Sequence, residues 1–254
     1  MGKIYFASDF HLGAPDQKSS RVREERILRW LDFIQKDAEA LYLVGDIFDF
    51  WFEYKYVVPK GYVRFLGKLG AMKAAGIKIY IFTGNHDMWM FSYLQDELDI
   101  PVFKSPISIE LKGKSFFIGH GDGLGPGDRG FKRLRKVFHN SFFQWFFARF
   151  HPNFSFMIAN FWSNASRNGK PAPFFRGIEE EYLIIYCEKK VKEAPHDFFV
   201  FGHRHLPIDH TLNNKVSRYI NLGEWITKNS YGVFDGETME IQFFENDAGQ
   251  LANR

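Results

Sequence analysis

The chain has 254 residues, 45% of them hydrophobic, a formal net charge of +3 and a single cysteine, Cys187. That balance supports one sizeable core and excludes a disordered, collagen-like or disulfide-framed chain, as well as any metal site built on thiolates. No apolar run approaches the roughly 18 residues needed to span a bilayer, and no leader-like segment follows Met1, so a cytoplasmic protein with at most peripheral membrane contact is expected.

In chain order, Lys3 to Ser8 reads as a strand and Ser20 to Lys36 as a helix, with Val22, Ile27, Trp30, Leu31 and Ile34 at helical spacing. Leu41 to Val44 is a buried strand, Tyr62 to Ala75 a helix stopped by Gly76, and Ile77 to Phe82 another strand. Ile107 to Leu111 and Ser115 to Ile118 form a hairpin across Lys112-Gly113-Lys114, opening a second sheet. A helix over Ile178 to Val191 and a strand over Phe198 to Phe201 follow. The tail continues with strands at Arg218 to Asn221, Tyr231 to Phe234 and Met239 to Phe244, the last two joined by an Asp235-Gly236 turn. The pattern predicts one domain over 1–254, with two packed sheets flanked by helices.

Five short motifs begin where strands stop: Asp9-Phe10-His11, Gly45-Asp46, Gly84-Asn85-His86-Asp87, Gly119-His120-Gly121-Asp122 and Gly202-His203-Arg204-His205. Asp9 and His11 are two apart, so at an extended strand end both side chains point the same way, and His203 and His205 repeat this. Asp46 is the natural bridging carboxylate, Asn85 offers a carbonyl oxygen and His120 an imidazole nitrogen. One Asp after a strand is usually a cap or turn former. Five such motifs at successive strand ends instead supply enough oxygen and imidazole ligands for two adjacent divalent ions, of a kind that suits Mn²⁺, Fe²⁺ or Zn²⁺.

The order and residue types of these motifs resemble the calcineurin-like metallophosphoesterase family, over nearly the whole chain outside one insertion. The resemblance implies an αββα sandwich of two sheets. It also implies that Asp9, His11, Asp46 and His205 hold one ion and that Asp46, Asn85, His120 and His203 hold the other. Water is then the nucleophile, His86 acts at the phosphate or leaving oxygen, and Asp87 orients the His86 ring.

The insertion, residues 125–176, follows His120-Gly121-Asp122. Between Arg129 and Gly177 lie nine basic residues, fourteen Phe and Trp, and no Asp or Glu, so the rest of the chain is net acidic. Phe131, Leu134, Phe138, Phe142, Trp145 and Phe146 recur at helical spacing, predicting one amphipathic helix that ends near His151-Pro152. Phe154, Met157, Ile158, Phe161 and Ala165 predict a second, and the pair is read as a helical lid over the metals. A lid rich in Phe and in Arg or Lys suits a substrate that joins acyl chains to a diphosphate, or an anionic membrane surface.

More narrowly, the chain is similar to the UDP-2,3-diacylglucosamine diphosphatases of lipid A synthesis. The similarity rests on Gly45 to Trp51, His120-Gly121-Asp122, Asp128, the helical insertion and the stretch from Ser163 to Lys170. It implies a glycolipid nucleotide substrate split into UMP and 2,3-diacylglucosamine 1-phosphate, two ions that are most simply Mn²⁺, and peripheral contact with the cytoplasmic face of the inner membrane. No nucleic acid and no obligate protein partner are expected. Asn85, His86, Trp51, Asp128, Ser163, Arg167, Lys170 and His203 are the implied substrate contacts. Well-known members read Gly-Asn-Arg-Asp where this chain has His86, and Arg167 stands where their pattern has Asn. Two alternatives are a nuclease or nucleotide phosphodiesterase of the same fold, with the insertion stacking bases, and a non-catalytic metal-binding scaffold.

Overall fold

The computed structural model describes residues 2–127, 129–168 and 173–253, and only the backbone of 129, 131, 160, 162 and 164–168. Parallel units open the chain: β1 (Lys3–Ala7), α1 (Gln17–Ile34), β2 (Ala38–Val44), α2 (Val63–Ala74), β3 (Lys78–Phe82), α3 (Tyr93–Leu98) and β4 (Val102–Phe103). The strands of these units are apolar on both faces because both are covered. Tyr5, Ala7, Leu41 and Leu43 face α1 and α2 together with Trp30, Leu31 and Leu69. Their alternating neighbours Ile4, Phe6, Tyr42 and Val44 face the other sheet. Helix α1 starts earlier than the apolar spacing predicts, because the Asp16 carboxylate accepts from Ser19 N at 2.9 Å and caps it.

The second sheet contains β5 (Ile107–Leu111), β6 (Lys114–Ile118), β7 (Phe198–Phe201), β8 (Pro207–Thr211) and β9 (Arg218–Leu222), in the order β5-β6-β7-β9-β8. Helix α7 (Tyr182–Glu193) packs Leu183, Ile184 and Cys187 on its outer face. Between the sheets, Phe6, Phe82, Phe116, Ile118, Phe198, Val200, Ile220 and Leu222 form a buried layer, with the Phe6 and Phe116 rings 5.8 Å apart. The architecture is therefore helix, sheet, sheet, helix, as the sequence predicts.

Two features differ from the reading of the sequence. The tail strands β10 (Ser230–Phe234) and β11 (Met239–Phe243) do not extend the second sheet, since β10 pairs antiparallel with β1 and gives the first sheet the order β11-β10-β1-β2-β3-β4. The insertion holds three helices, not two: α4 (Arg129–Phe138), α5 (Ser141–Phe147) and α6 (Pro152–Asn168). The apolar spacing runs unbroken across the α4–α5 junction. There Asn140 leaves helical geometry, and its side chain accepts from Phe142 N at 2.9 Å to start a new helix. Among the described residues, no helix is long and apolar enough to cross a membrane.

Candidate metal centre

Strands β1, β2, β3, β6 and β7 all release their motifs at one edge of the sandwich, where parallel α/β sheets commonly gather ligands. Beyond the strand ends the loops keep pairing: Asp9 N donates to the Gly45 carbonyl at 3.0 Å and His11 N to the Asp46 carbonyl at 2.9 Å. Asp9, His11, Asp46, His203 and His205 all have positive φ, an unfavourable backbone for residues with a Cβ. Such strain persists where the surroundings over-determine it, and it concentrates at functional sites. Part of the constraint on His11 comes from α1, where the buried Arg23 donates to the His11 carbonyl at 2.6 Å and the Ala14 carbonyl at 2.5 Å. Glycine supplies the room: a Cβ on Gly202 would sit 2.5 Å from Asp9 Oδ2, and one on Gly84 would collide with the Asp46 carboxylate.

The candidate ligand atoms fall into three overlapping groups: Asp9 with His11, Asp46 and His205; Asp46 with His120 and His203; and, sharing only His11 with the first, His11 with Asp49 and His86. In the first, His205 Nε2 lies 3.2 Å from both Asp9 Oδ1 and His11 Nε2. Asp46 joins the first two. Its Oδ1 accepts from His86 N at 2.8 Å, while Oδ2 lies 3.8 Å from His11 Nε2 and 3.3 Å from His120 Nε2. His120 is aimed by its other nitrogen, which donates to the Val44 carbonyl at 2.9 Å.

Buried atoms left without partners test whether this set fits metal. Asp9 Oδ1, Asn85 Oδ1 and His120 Nε2 are all buried and accept or donate no hydrogen bond. Buried polar atoms are almost always paired, so three ligand-type atoms orphaned together fit two cations that would satisfy them. The electrostatics agree. Burial alone would raise the Asp9 carboxyl, but His205, His11 and His120 hold it well below the usual carboxylate range, and Asp46 is lowered in the same way by His120 and His86. Burial opposes the charged form of His11, yet Asp49, Asp9 and Asp46 raise it to about 10, and His120 is raised by Asp46 against the same burial. The carboxylates thus draw positive charge into the cluster, and divalent ions would displace the protons of His11 and His120 on binding. His203 is pushed down to about 3 by burial and by His120, which keeps its ring neutral, the form in which an imidazole can bind a metal.

His86 sits beside this cluster, its ring edge-on to His11 at 4.8 Å between centroids. Its Nδ1 lies 3.0 Å from the Asp49 carbonyl, which only accepts, so Nδ1 carries the proton and Nε2 the lone pair. Burial lowers its pKa, which favours the neutral ring. Asp87, expected beside that ring, turns elsewhere: it accepts from Gly84 N and Ile47 N, each at 2.7 Å, and from Phe48 N at 3.3 Å, bracing the second and third motif loops against each other. Burial and the Asp46 charge push it up to about 7.

Asp49 was not singled out in the sequence, although its position three residues after Asp46 was a signal. Its Oδ1 lies 3.6 Å from both His11 Nδ1 and His86 Nδ1, and its Oδ2 accepts from Ser163 Oγ of α6 at 2.8 Å. One carboxylate therefore connects the insertion to the histidines of the site. A second link is Asp122, 3.1 Å from Arg135 Nε of α4.

Of the residues implied to touch substrate, Ser163 is buried at this Asp49 contact, His86 and His203 line the cluster itself, and the Asn85 amide oxygen is buried without a partner on the adjoining loop. Trp51 is a correction. It is wholly buried, donating to Glu53 Oε1 at 3.1 Å with its ring 4.4 Å from Phe48, so it belongs to the core. Asp128 and Lys170 lie outside the described residues, as does the side chain of Arg167.

The insertion divides its aromatics between two faces. Phe138, Phe147 and Phe156 pack on Phe50, Phe52, Met88 and Trp89, just beyond the second and third motifs, and Trp89 Nε1 donates to the Phe138 carbonyl at 2.8 Å. Phe142, Phe143, Trp145, Phe146, Phe154, Met157 and Phe161 are exposed, Phe161 by 70%. A continuous outward face of this kind is far more apolar than a solvated helix needs.

Comparison with known proteins follows the same lines. A family model described as calcineurin-like phosphoesterase matches residues 2–207. A protein of Porphyromonas gingivalis named UDP-2,3-diacylglucosamine hydrolase is 38% identical, across 96% of this chain and 98% of its own. One of the same name from Aeromonas salmonicida is 25% identical over 89% of this chain and 87% of its own. A solved structure of a hypothetical protein from Pyrococcus horikoshii has a TM-score of 0.50 at 12% identity, covering 96% of this chain and 87% of that one, a likeness of fold.

Proposed function

The chain belongs to the calcineurin-like phosphoesterase family, and from that premise we propose that it hydrolyses the diphosphate of UDP-2,3-diacylglucosamine to UMP and 2,3-diacylglucosamine 1-phosphate in lipid A synthesis. The end-to-end similarity to relatives of that name supports the reading. The observation that carries the substrate half is the helical insertion, which we read as a lid. It is tied to the metal centre through Ser163–Asp49 and Asp122–Arg135 and presents exposed Phe, Trp and Met on its other side. A site for a small soluble nucleotide has no need of such a surface, whereas a substrate with two acyl chains must leave a bilayer to reach the ions. The enzyme would accordingly work at the cytoplasmic face of the inner membrane.

Asp9, His11, Asp46 and His205 would hold one divalent ion, and Asp46, Asn85, His120 and His203 the other, with Mn²⁺ the metal we assign. When bound, the pair supplies Lewis acidity toward phosphoryl oxygens and a nucleophilic water at neutral pH. His86 keeps its Nδ1 proton on the Asp49 carbonyl, so Nε2 is the nitrogen that can take up a proton and then donate it to the phosphate or leaving oxygen, where well-known relatives place an arginine donor. Asp87 keeps the motif loops in register rather than touching the ring. Ser163, together with Asp128, Arg167 and Lys170, is proposed to meet the glycolipid, which requires Ser163 to exchange its Asp49 bond for substrate.

Acyl selectivity tests this reading. Because each buried methylene contributes about 0.8 kcal/mol, even four to six buried carbons predict a preference on the order of 10²-fold or more in kcat/KM for UDP-2,3-diacylglucosamine over UDP-N-acetylglucosamine. Equal efficiency on the two, measured as UMP release, would remove the lipid part of the proposal.

A further inference from the structure

We propose that the loop of residues 54–63, between the second motif and α2, is a second contact with an anionic lipid surface, acting beside the outward face of α5 and α6. The identity of the partner rests on the membrane reading above; the location rests on the loop itself. Tyr54 N donates to the Val57 carbonyl at 3.0 Å, closing a turn that lifts Tyr56 and Val57 off the body. Tyr56 is 84% exposed, more than any other large hydrophobic side chain among the described residues. Val57 is half exposed, and Val63, the first residue of α2, is exposed as well. Val22 is exposed in the early turns of α1, against which α2 is set by Arg64 and Glu25 at 3.3 Å.

The charge fits the same partner. From residue 54 to residue 86 the chain has six basic residues and no Asp or Glu. Arg64, Lys68 and Lys73 are neutralised by Glu25, Asp32 and Asp99. Lys55 and Lys60, within the loop, have no carboxylate partner among the described residues, and the Lys55 ammonium lies 4.9 Å from the centre of the Tyr56 ring. Tyrosine and aliphatic side chains flanked by lysines suit the headgroup region of an anionic leaflet, where a ring sits at the interface and an ammonium at the phosphates.

Tyr54 belongs to the same apolar cluster as Phe147 of α5 and Phe156 of α6, and the Phe52 ring lies tilted 5.0 Å from Phe147, so the loop rises from the foot of those helices. Two separated contacts restrain orientation where one allows the body to pivot, and each raises the effective concentration of the other at the surface. Together they would hold the edge that carries the motifs toward the bilayer.

The test is co-sedimentation of the full chain with phosphatidylglycerol/phosphatidylethanolamine vesicles and, separately, with phosphatidylcholine vesicles. Wild type is compared with Y56S/V57S, K55E/K60E and the α5 variant F142S/W145S, each checked by circular dichroism. Loss of charge and apolar contact predicts that both loop variants lower binding to the anionic vesicles about tenfold or more, while turnover of micellar substrate is unchanged. Loop variants that sediment like wild type while the α5 variant is lost would overturn this inference and leave the α5–α6 reading standing. No sedimentation of wild type would overturn both membrane contacts. Either result leaves the hydrolytic proposal to be judged by UMP release.

Discussion

Replacing Asp46 with alanine is expected to lower metal-dependent turnover by about 10³-fold or more, given that loss of a single oxyanion-stabilising donor already costs about 10²–10³-fold. This carboxylate is shared, its Oδ2 facing His11 Nε2 at 3.8 Å in one group and His120 Nε2 at 3.3 Å in the other. Removing it weakens both ion positions at once. Alanine also leaves the His86 N–H without its acceptor, which costs about 1–3 kcal/mol of stability. Asp46→Asn separates the two effects, since an amide oxygen can keep the hydrogen bond now 2.8 Å long while the charge is gone. The asparagine variant should therefore keep its melting temperature better than the alanine variant and still lose bound metal. Metal content by elemental analysis, read beside turnover, checks this, and an alanine variant with two ions and full activity would contradict the assignment.

His86→Ala is expected to behave differently, with a drop in kcat of about 10²–10⁴-fold, the range for a positioned group that exchanges a proton, and metal content unchanged. The reasoning is geometric: Nδ1 is committed to the Asp49 carbonyl at 3.0 Å, and the ring stands beside His11 rather than among the atoms of the two ion groups that share Asp46. Loss of metal together with loss of turnover would instead make His86 a ligand. Arginine at this position is informative in its own right, because it exchanges an imidazole that takes up and gives back a proton for a permanent bidentate donor.

How much of this was legible beforehand depends on the range of the interaction that sets each feature. Strand ends were readable because parallel strands covered on both faces are largely apolar, and the motifs, four of the five opened by glycine, mark where Ala7, Val44, Phe82, Ile118 and Phe201 stop. Short or marginal elements were not. Helix α3 has six residues, β4 has two, and β8 is an edge strand that begins at Pro207 and carries Asp209, His210 and Thr211, a pattern with little periodicity. The return of β10 to pair with β1 is a long-range choice that local composition does not encode. The candidate ligands were named from spacing and resemblance, and the structure gathers Asp9, His11, Asp46, His120, His203 and His205 at one edge, with Asn85 on the third-motif loop that bonds Asp46 through His86 N.

The supporting residues were harder to find. Arg23 holds the His11 loop from a position on α1 about two turns past its cap, through backbone carbonyls that no side-chain motif reveals. Asp49 takes the place expected of Asp87: Asp87 is adjacent to His86 in sequence, but successive residues in a turn face apart, and the Asp49 carbonyl reaches the ring through space. Trp51 was drawn into the substrate set by its place in a motif. Its indole instead fills the layer beneath α2, next to Phe48 and Tyr93.

The central claim, a two-metal centre that splits a lipid-linked diphosphate, is tested most directly by incubating purified protein and Mn²⁺ with UDP-2,3-diacylglucosamine and separating the products. UMP and 2,3-diacylglucosamine 1-phosphate are expected in equal amounts, with EDTA suppressing both and added Mn²⁺ restoring them. No release from this substrate, with steady cleavage of a soluble nucleotide diphosphate under the same conditions, would contradict it.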